Sequence, residues 1–249
     1  STDWGRDTAL RVRCLRQLRD ALNDEIETLR EITIAEVGAP RSLTYRGQLQ
    51  TPVDDLSFPA ATAESYPWQV DLGVAAPMGI TTARPLVREP FGVVGAITPW
   101  NFPHQVTFAK IGPALAAGNT VIIKPSEQAP LSAIRMAELI GGVFPPGVIN
   151  VLTGARECGE ALTAHPLVKK ITLIGSTATG KAILRSGADT LKQVLLELGG
   201  KNPLIAYPDA DLEKLADGIV RGMNFTWAGQ SCGSTSRVFL HDDIHDKVL

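Results

Sequence analysis

From Val93 to Glu197 the chain alternates short β-prone runs with apolar segments at helical spacing. Strands are predicted at Val93–Thr98, Thr120–Lys124, Val148–Leu152, Val168–Ile174 and Gln193–Glu197. Helices are predicted between them at His104–Ala117, Leu131–Ile140, Glu157–Ala164 and Thr177–Arg185. Gly118-Asn119 and Gly141-Gly142 punctuate the pattern, and Pro113 predicts a kink or a late start in its helix. Parallel strands need crossover connections, so strict alternation with short links predicts an α/β fold. Its core is a Rossmann-like parallel sheet with helices on both faces.

The flanks read differently. Residues 6–38 carry Leu10, Leu15, Leu18, Leu22, Ile26 and Leu29 at helical steps, and Gly38 and Pro40 end the pattern. Asn23-Asp24 before Glu25 suggests a cap that divides the stretch into two helices. Over residues 50–68, Thr51 is a candidate cap with Pro52 at the first helical position and Asp54-Asp55 near the positive helix end. From Val70 to Val94, Gly and Pro interrupt runs such as Ile80-Thr81-Thr82, which reads as extended chain or a hairpin. Asp209 or Asp211 is placed to cap a helix reaching Met223.

Composition narrows the function classes. The 249 residues carry a net charge of −2, with 44% apolar and 20% charged residues. That length supports one or two domains with a real core. No basic excess favours nucleic acid or an anionic membrane, and no apolar run is long enough to span one. Ser1 to Arg13 is charged and lacks a signal-peptide core. Cys14, Cys158 and Cys232 are an odd, widely spaced set that predicts no disulfide framework and a cytoplasmic, reducing compartment. Cys14 and Cys158 read as packing residues.

Cys232 has chemically suggestive company. It closes Gly-Gln-Ser-Cys (229–232), downstream of Leu-Glu-Leu-Gly-Gly-Lys (196–201), Pro-Trp-Asn-Phe-Pro (99–103) and Lys-Pro-Ser-Glu (124–127). A thiolate is a strong nucleophile, and nearby glycines let substrate approach. Asn101 offers two uncharged amide donors in a proline-stiffened loop, though alone it would read as a turn residue. Glu197 ends an apolar strand, where α/β sheets open onto their ligand crevice, and burial there would make it a usable base. Lys124 and Glu127 follow the second strand, and a donor and an acceptor at that place suit ribose hydroxyls. Gly175 and Ser176 precede a helix whose N-terminus suits pyrophosphate. Gly154, at a strand end, is a weaker candidate, equally readable as a turn glycine.

At these motifs the chain resembles the aldehyde dehydrogenase superfamily, with the four motifs in family order. The resemblance covers nearly the whole chain, most securely Pro90 to Cys232. Family members are much longer, so the chain looks like the N-terminal and central part of one, without the later Glu and Phe that position the nicotinamide ribose and ring. The resemblance implies residues 1–70 and 91–198 as a dinucleotide-binding domain, 71–90 as an oligomerisation β-arm, and 199–249 as the start of a second α/β, catalytic domain. It implies a homo-oligomer, dimer or tetramer. It implies oxidation of an aldehyde to a carboxylic acid with NAD(P)+ through a thiohemiacetal and a thioester on Cys232. Asn101 and the Cys232 N–H would form the oxyanion site, and Glu197 would activate water. Lys124, Ser126, Glu127, Gly154, Gly175, Ser176, Trp100 and Leu198 would bind the dinucleotide. Glu127 opposes a 2′-phosphate and favours NAD, although relatives with glutamate here that accept both keep NADP open.

Competing readings have their own residues. Gly175 to Lys181 fits most of a P-loop, but Ala182 stands where the magnesium-binding hydroxyl belongs. A catalytically silent dinucleotide-binding or oligomerising module is the alternative from another class, because the chain looks incomplete and weak or no turnover is expected of it alone. His241 and His245 have helical metal-ligand spacing but no third ligand nearby, so no metal site is assigned. Asn224-Phe225-Thr226 matches a glycosylation acceptor and reads as incidental.

Overall fold

The structure is a computed structural model describing residues 2–249, so Ser1 and the side chains of Thr2 and Thr226 lie outside the description. The chain opens with six helices: α1 (Thr2–Arg6), α2 (Thr8–Asp24), α3 (Ile26–Val37), α4 (Arg41–Thr44), α5 (Gln50–Asp54) and α6 (Ser57–Ser65). Asp7 caps α2 by accepting from the Leu10 N–H at 2.8 Å. Val12, Leu15, Leu18 and Leu22 then recur every three or four residues and are all buried. The predicted break within 6–38 falls at Glu25, and Gly38 ends α3 with φ 66, in the left-handed region. The expected cap at Thr51 is corrected: α5 begins at Gln50, after Leu49, with no side-chain cap. Pro59 is tolerated because it lies in the first turn of α6, where N–H groups lack intrahelical acceptors.

Next, β1 (Gln69–Ala75) and β2 (Thr82–Val87) pair antiparallel as a separate two-stranded sheet, the predicted hairpin. The alternating region follows as β3 (Val93–Ile97), α7 (Pro103–Ala116), β4 (Thr120–Lys124), α8 (Leu131–Ile140), β5 (Ile149–Val151), α9 (Arg156–Ala164), β6 (Val168–Gly175), α10 (Thr177–Ala188) and β7 (Gln193–Leu198). α7 does not start late: Pro103 occupies its first turn and Pro113 its last. The five strands form one parallel sheet in the order β5-β4-β3-β6-β7.

Period-two alternation explains why helices cover both faces. Val94, Ala96, Val121 and Ile123 enter the core that includes Phe108, Ile111 and Met136 of α7 and α8. Val93, Ile97 and Ile122 point the other way, into the core of Leu162, Ile171 and Ile183 with α9 and α10. Buried cations close helix ends. Arg11 donates from Nε to the Ala116 carbonyl at 2.9 Å at the end of α7. Lys192 Nζ does the same for Thr163 at 2.6 Å and His165 at 2.9 Å beyond α9.

The last segment is β8 (Pro203–Ala206), α11 (Leu212–Gly222), β9 (Arg237–Leu240) and α12 (Asp242–Val248). Asp211 caps α11 by accepting from the Lys214 N–H, the second of the two predicted candidates. β8 and β9 pair in parallel as a separate two-stranded sheet.

Candidate active site

The chain fills positions β3, β4 and β5 in one direction, then returns to add β6 and β7 on the other side of β3. The reversal leaves a crevice at the carboxyl ends of β3 and β6, where open α/β sheets bind ligands. A cavity of about 940 Å³ lies there. Its lining includes Thr98–Asn101 after β3, Lys124 at the end of β4 with Ser126 and Glu127 beyond it, Gly175 at the end of β6 and Ser176 before α10, Leu198 at the end of β7, and Cys232. Most of the predicted site residues are therefore brought together from five separate stretches.

The thiol and the amide meet at this cavity. Cys232 is an exposed free cysteine whose sulfur belongs to no disulfide. Asn101 Nδ2 donates to the carbonyl of Gln230 at 2.6 Å. One of its two amide hydrogens is thus spent on the thiol loop and the other remains for a ligand. The Cys232 carbonyl in turn accepts from Asn202 Nδ2 at 2.8 Å, which ties the loop to β8. Phe102 and Trp227 pack with centroids 4.5 Å apart at a 51° tilt, so the two loops also touch through their aromatic residues.

On the nucleotide side, Lys124 is buried, donates to the Pro125 carbonyl at 2.8 Å, and lies 3.6 Å from Glu127 Oε2. Ser176 caps α10, accepting from the Thr179 N–H at 3.1 Å. A buried ammonium beside a carboxylate suits a pair of sugar hydroxyls, and a 12-residue helix opening on the cavity suits a pyrophosphate. This donor set fits a dinucleotide. Trp100, 42% exposed, forms part of the same wall.

Two expectations need correction, and one competing reading is tested as well. Glu197 does not line the cavity, and its side chain is 59% exposed, so the burial expected of it is absent. The reason is strand period: Val194 and Leu196 pack inward with α10 and Leu198 follows on that side, so Glu197 faces the opposite side of the edge strand. There its Oε1 lies 3.8 Å from Lys110 Nζ of α7. Gly154 also falls outside the lining. A Cβ there would approach Cys158 Cβ to 2.7 Å, which accounts for the glycine by packing. The P-loop reading fails on geometry: Lys181 is exposed and does not line the cavity, whereas Ala182 does. Gly180 is explained by α10 packing on β7, since a Cβ would come within 3.0 Å of Leu198 Cδ2. His241, the other motif residue in question, caps α12 by accepting from the Asp243 N–H at 3.3 Å.

Sequence reasoning missed Lys110 and Gln48. Lys110 is the one Lys or Arg in α7, a signal that was available. Gln48 carries no local signal, because its partner Asn101 is 53 positions away.

The aldehyde dehydrogenase family model matches residues 3–249. The chain belongs to the aldehyde dehydrogenase family. It is 62% identical over 163 residues to the aldehyde dehydrogenase tropH of Talaromyces stipitatus, covering 66% of this chain and 32% of that protein. It is 42% identical to the mitochondrial succinate-semialdehyde dehydrogenase of Arabidopsis thaliana, covering 99% of this chain and 46% of the relative. Among solved structures, PnpE in complex with nicotinamide adenine dinucleotide superposes with a TM-score of 0.89 at 37% identity, covering 100% of this chain and 50% of that one. Betaine aldehyde dehydrogenase of Staphylococcus aureus with NAD+ gives 0.87 at 34% identity, covering 99% of this chain and 48% of that one. The chain thus spans about half the length of these relatives, or less. Sheet order, cavity position and family membership agree on a Rossmann-like α/β dehydrogenase fold.

Proposed function

We propose that this chain carries the dinucleotide-binding machinery and the nucleophile of an enzyme that oxidises an aldehyde to a carboxylic acid with NAD. The observation that carries the reading is the 2.6 Å bond from Asn101 Nδ2 to Gln230, which joins the amide loop to the thiol loop at the rim of the cavity. Residues 1–70 and 91–198 are assigned to the dinucleotide domain and 199–249 to the beginning of the catalytic domain. The 71–90 hairpin is assigned to pairing between subunits of a homo-oligomer, dimer or tetramer. Its exposed Leu72, Val74, Met78 and Ile80 support that assignment. Three free thiols and no helix long and apolar enough to cross a membrane among the described residues accord with a cytoplasmic enzyme.

The chemistry follows from the residue types. Cys232 sulfur, as thiolate, attacks the aldehyde carbon, and the carbonyl oxygen becomes an alkoxide. The free Asn101 amide hydrogen and the Cys232 N–H stabilise that charge, a preorganised pair typically worth roughly 3–4 kcal/mol per donor. The alkoxide re-forms its C=O bond by expelling hydride, leaving a thioester on Cys232. Lys124, Glu127, Ser126, Gly175 and Ser176, with Trp100 and Leu198 as walls, would hold a nicotinamide dinucleotide in the cavity, and that group would supply the hydride acceptor. Water then attacks the thioester carbon, giving up a proton to Glu197, and the thiolate leaves. For that step the exposed Glu197 side chain has to rotate from its place beside Lys110 toward the Cys232 loop. Glu127 beside Lys124 disfavours a second phosphate on the ribose, so NAD is preferred and NADP is the weaker substrate.

The test is reduced-dinucleotide formation, followed by absorbance over a panel of aldehydes, for the wild type and Cys232→Ala. Turnover lost in the variant supports the reading. Dinucleotide binding with no turnover in either protein would favour the silent module.

A further inference from the structure

We propose that Gly47 and Gln48, in the link between α4 and α5, are positioning residues that hold the amide loop and the thiol loop in register. The inference rests on the catalytic reading of Asn101 and Cys232. Gln48 is 2% exposed, and its Nε2 donates to the Asn101 backbone carbonyl at 3.1 Å. That bond fixes the peptide plane from which the Asn101 side chain reaches Gln230. One residue earlier, Gly47 seats the other loop. A Cβ on Gly47 would stand 2.2 Å from Trp227 Cη2, closer than real side chains come. The indole has little room to swing away on the side of Phe102, whose ring packs against it at a 51° tilt with centroids 4.5 Å apart. Adjacent residues of the helical segment therefore grip both loops, one by a hydrogen bond and one by the absence of a side chain.

A second observation argues that Gln48 is kept for this bond. Its Oε1 is buried without a hydrogen-bond partner among the described residues. An unpaired buried amide oxygen is costly, and an apolar side chain of the same shape would avoid it. Among the described residues, that donor is the one polar contact the side chain makes. Gln48→Met deletes that donor while keeping the volume and removing the orphaned oxygen, so a folding defect is not the expected result.

Two readouts separate this proposal from the catalytic reading. Amide hydrogen exchange needs no turnover. Gln48→Met and Gly47→Ala are each expected to speed exchange about tenfold or more in segments 98–103 and 225–232, with the β3–β7 sheet unchanged. Steady-state kinetics should show kcat lowered roughly ten- to a hundredfold, because misplacing an oxyanion donor acts on the transition state, with KM for aldehyde within about twofold. Wild-type exchange in both loops of Gln48→Met, or a raised KM with unchanged kcat, would overturn the proposal. If the wild type forms no reduced dinucleotide, the catalytic reading fails, and the exchange result still decides whether the clamp exists.

Discussion

Asn101 and Gln230 are 129 positions apart in sequence, yet the Asn101 amide donates to the Gln230 carbonyl at 2.6 Å, two residues before the thiol. The contact joins the Asn101 loop and the Cys232 loop, the proposed oxyanion donor and nucleophile, in one mechanical unit. Asn101→Ala removes both the donor and the tether. The expected result is a kcat roughly 10²- to 10³-fold lower, with dinucleotide affinity little changed. Steady-state kinetics beside a dinucleotide titration checks it.

Recognition of the adenosine ribose is assigned to Lys124 and Glu127, whose charged atoms are 3.6 Å apart. Glu127→Gln removes the negative charge that opposes a 2′-phosphate and leaves the lysine in place. The kcat/KM ratio of NADP to NAD should rise about tenfold, equivalent to about 1.4 kcal/mol. An unchanged ratio would remove Glu127 from cofactor selection.

Acid sensitivity has a source close to the amide loop. His104 is fully buried in the first turn of α7, and desolvation lowers its pKa from 6.5 to about 4. Thr33 Oγ1 donates to the Leu29 carbonyl at 2.7 Å, so it accepts from His104 Nε2–H at 3.0 Å, and the ring is neutral with its proton on Nε2. The unfolded chain binds a proton near pH 6.5 that the folded chain refuses until about pH 4. Stability therefore falls as pH drops through that window, by roughly 3 kcal/mol for one site, and is flat with respect to this group above it. Denaturant midpoints from pH 7 to 4 should show this slope in the wild type and lose most of it in His104→Asn.

The fold was largely legible because its signals are local. Thr120–Lys124 and Leu131–Ile140 form where apolar runs of strand and helix length lie between glycine, proline or asparagine breaks. Pro203–Ala206 and Arg237–Leu240 escaped notice because they are four residues long and pair with each other across the intervening helix, so neither shows sustained alternation. Within the site, motif and strand end point to Cys232, Asn101, Lys124 and Ser176, and all four line the cavity. Glu197 was placed at the right strand end but on the wrong side of it. Leu198 lines the cavity in its stead, a one-residue distinction that strand periodicity reverses completely. Gln48 had no sequence signal because its role exists only once distant segments meet.

The central claim is that Cys232 carries the substrate carbon through oxidation. It is tested most directly by mass spectrometry of Glu197→Gln incubated with aldehyde and NAD. Without a base for water, the thioester should accumulate, and the peptide containing Cys232 should gain the mass of the acyl group. An unmodified Cys232 in a protein that still forms reduced dinucleotide, or undiminished turnover by Cys232→Ala, would contradict the account.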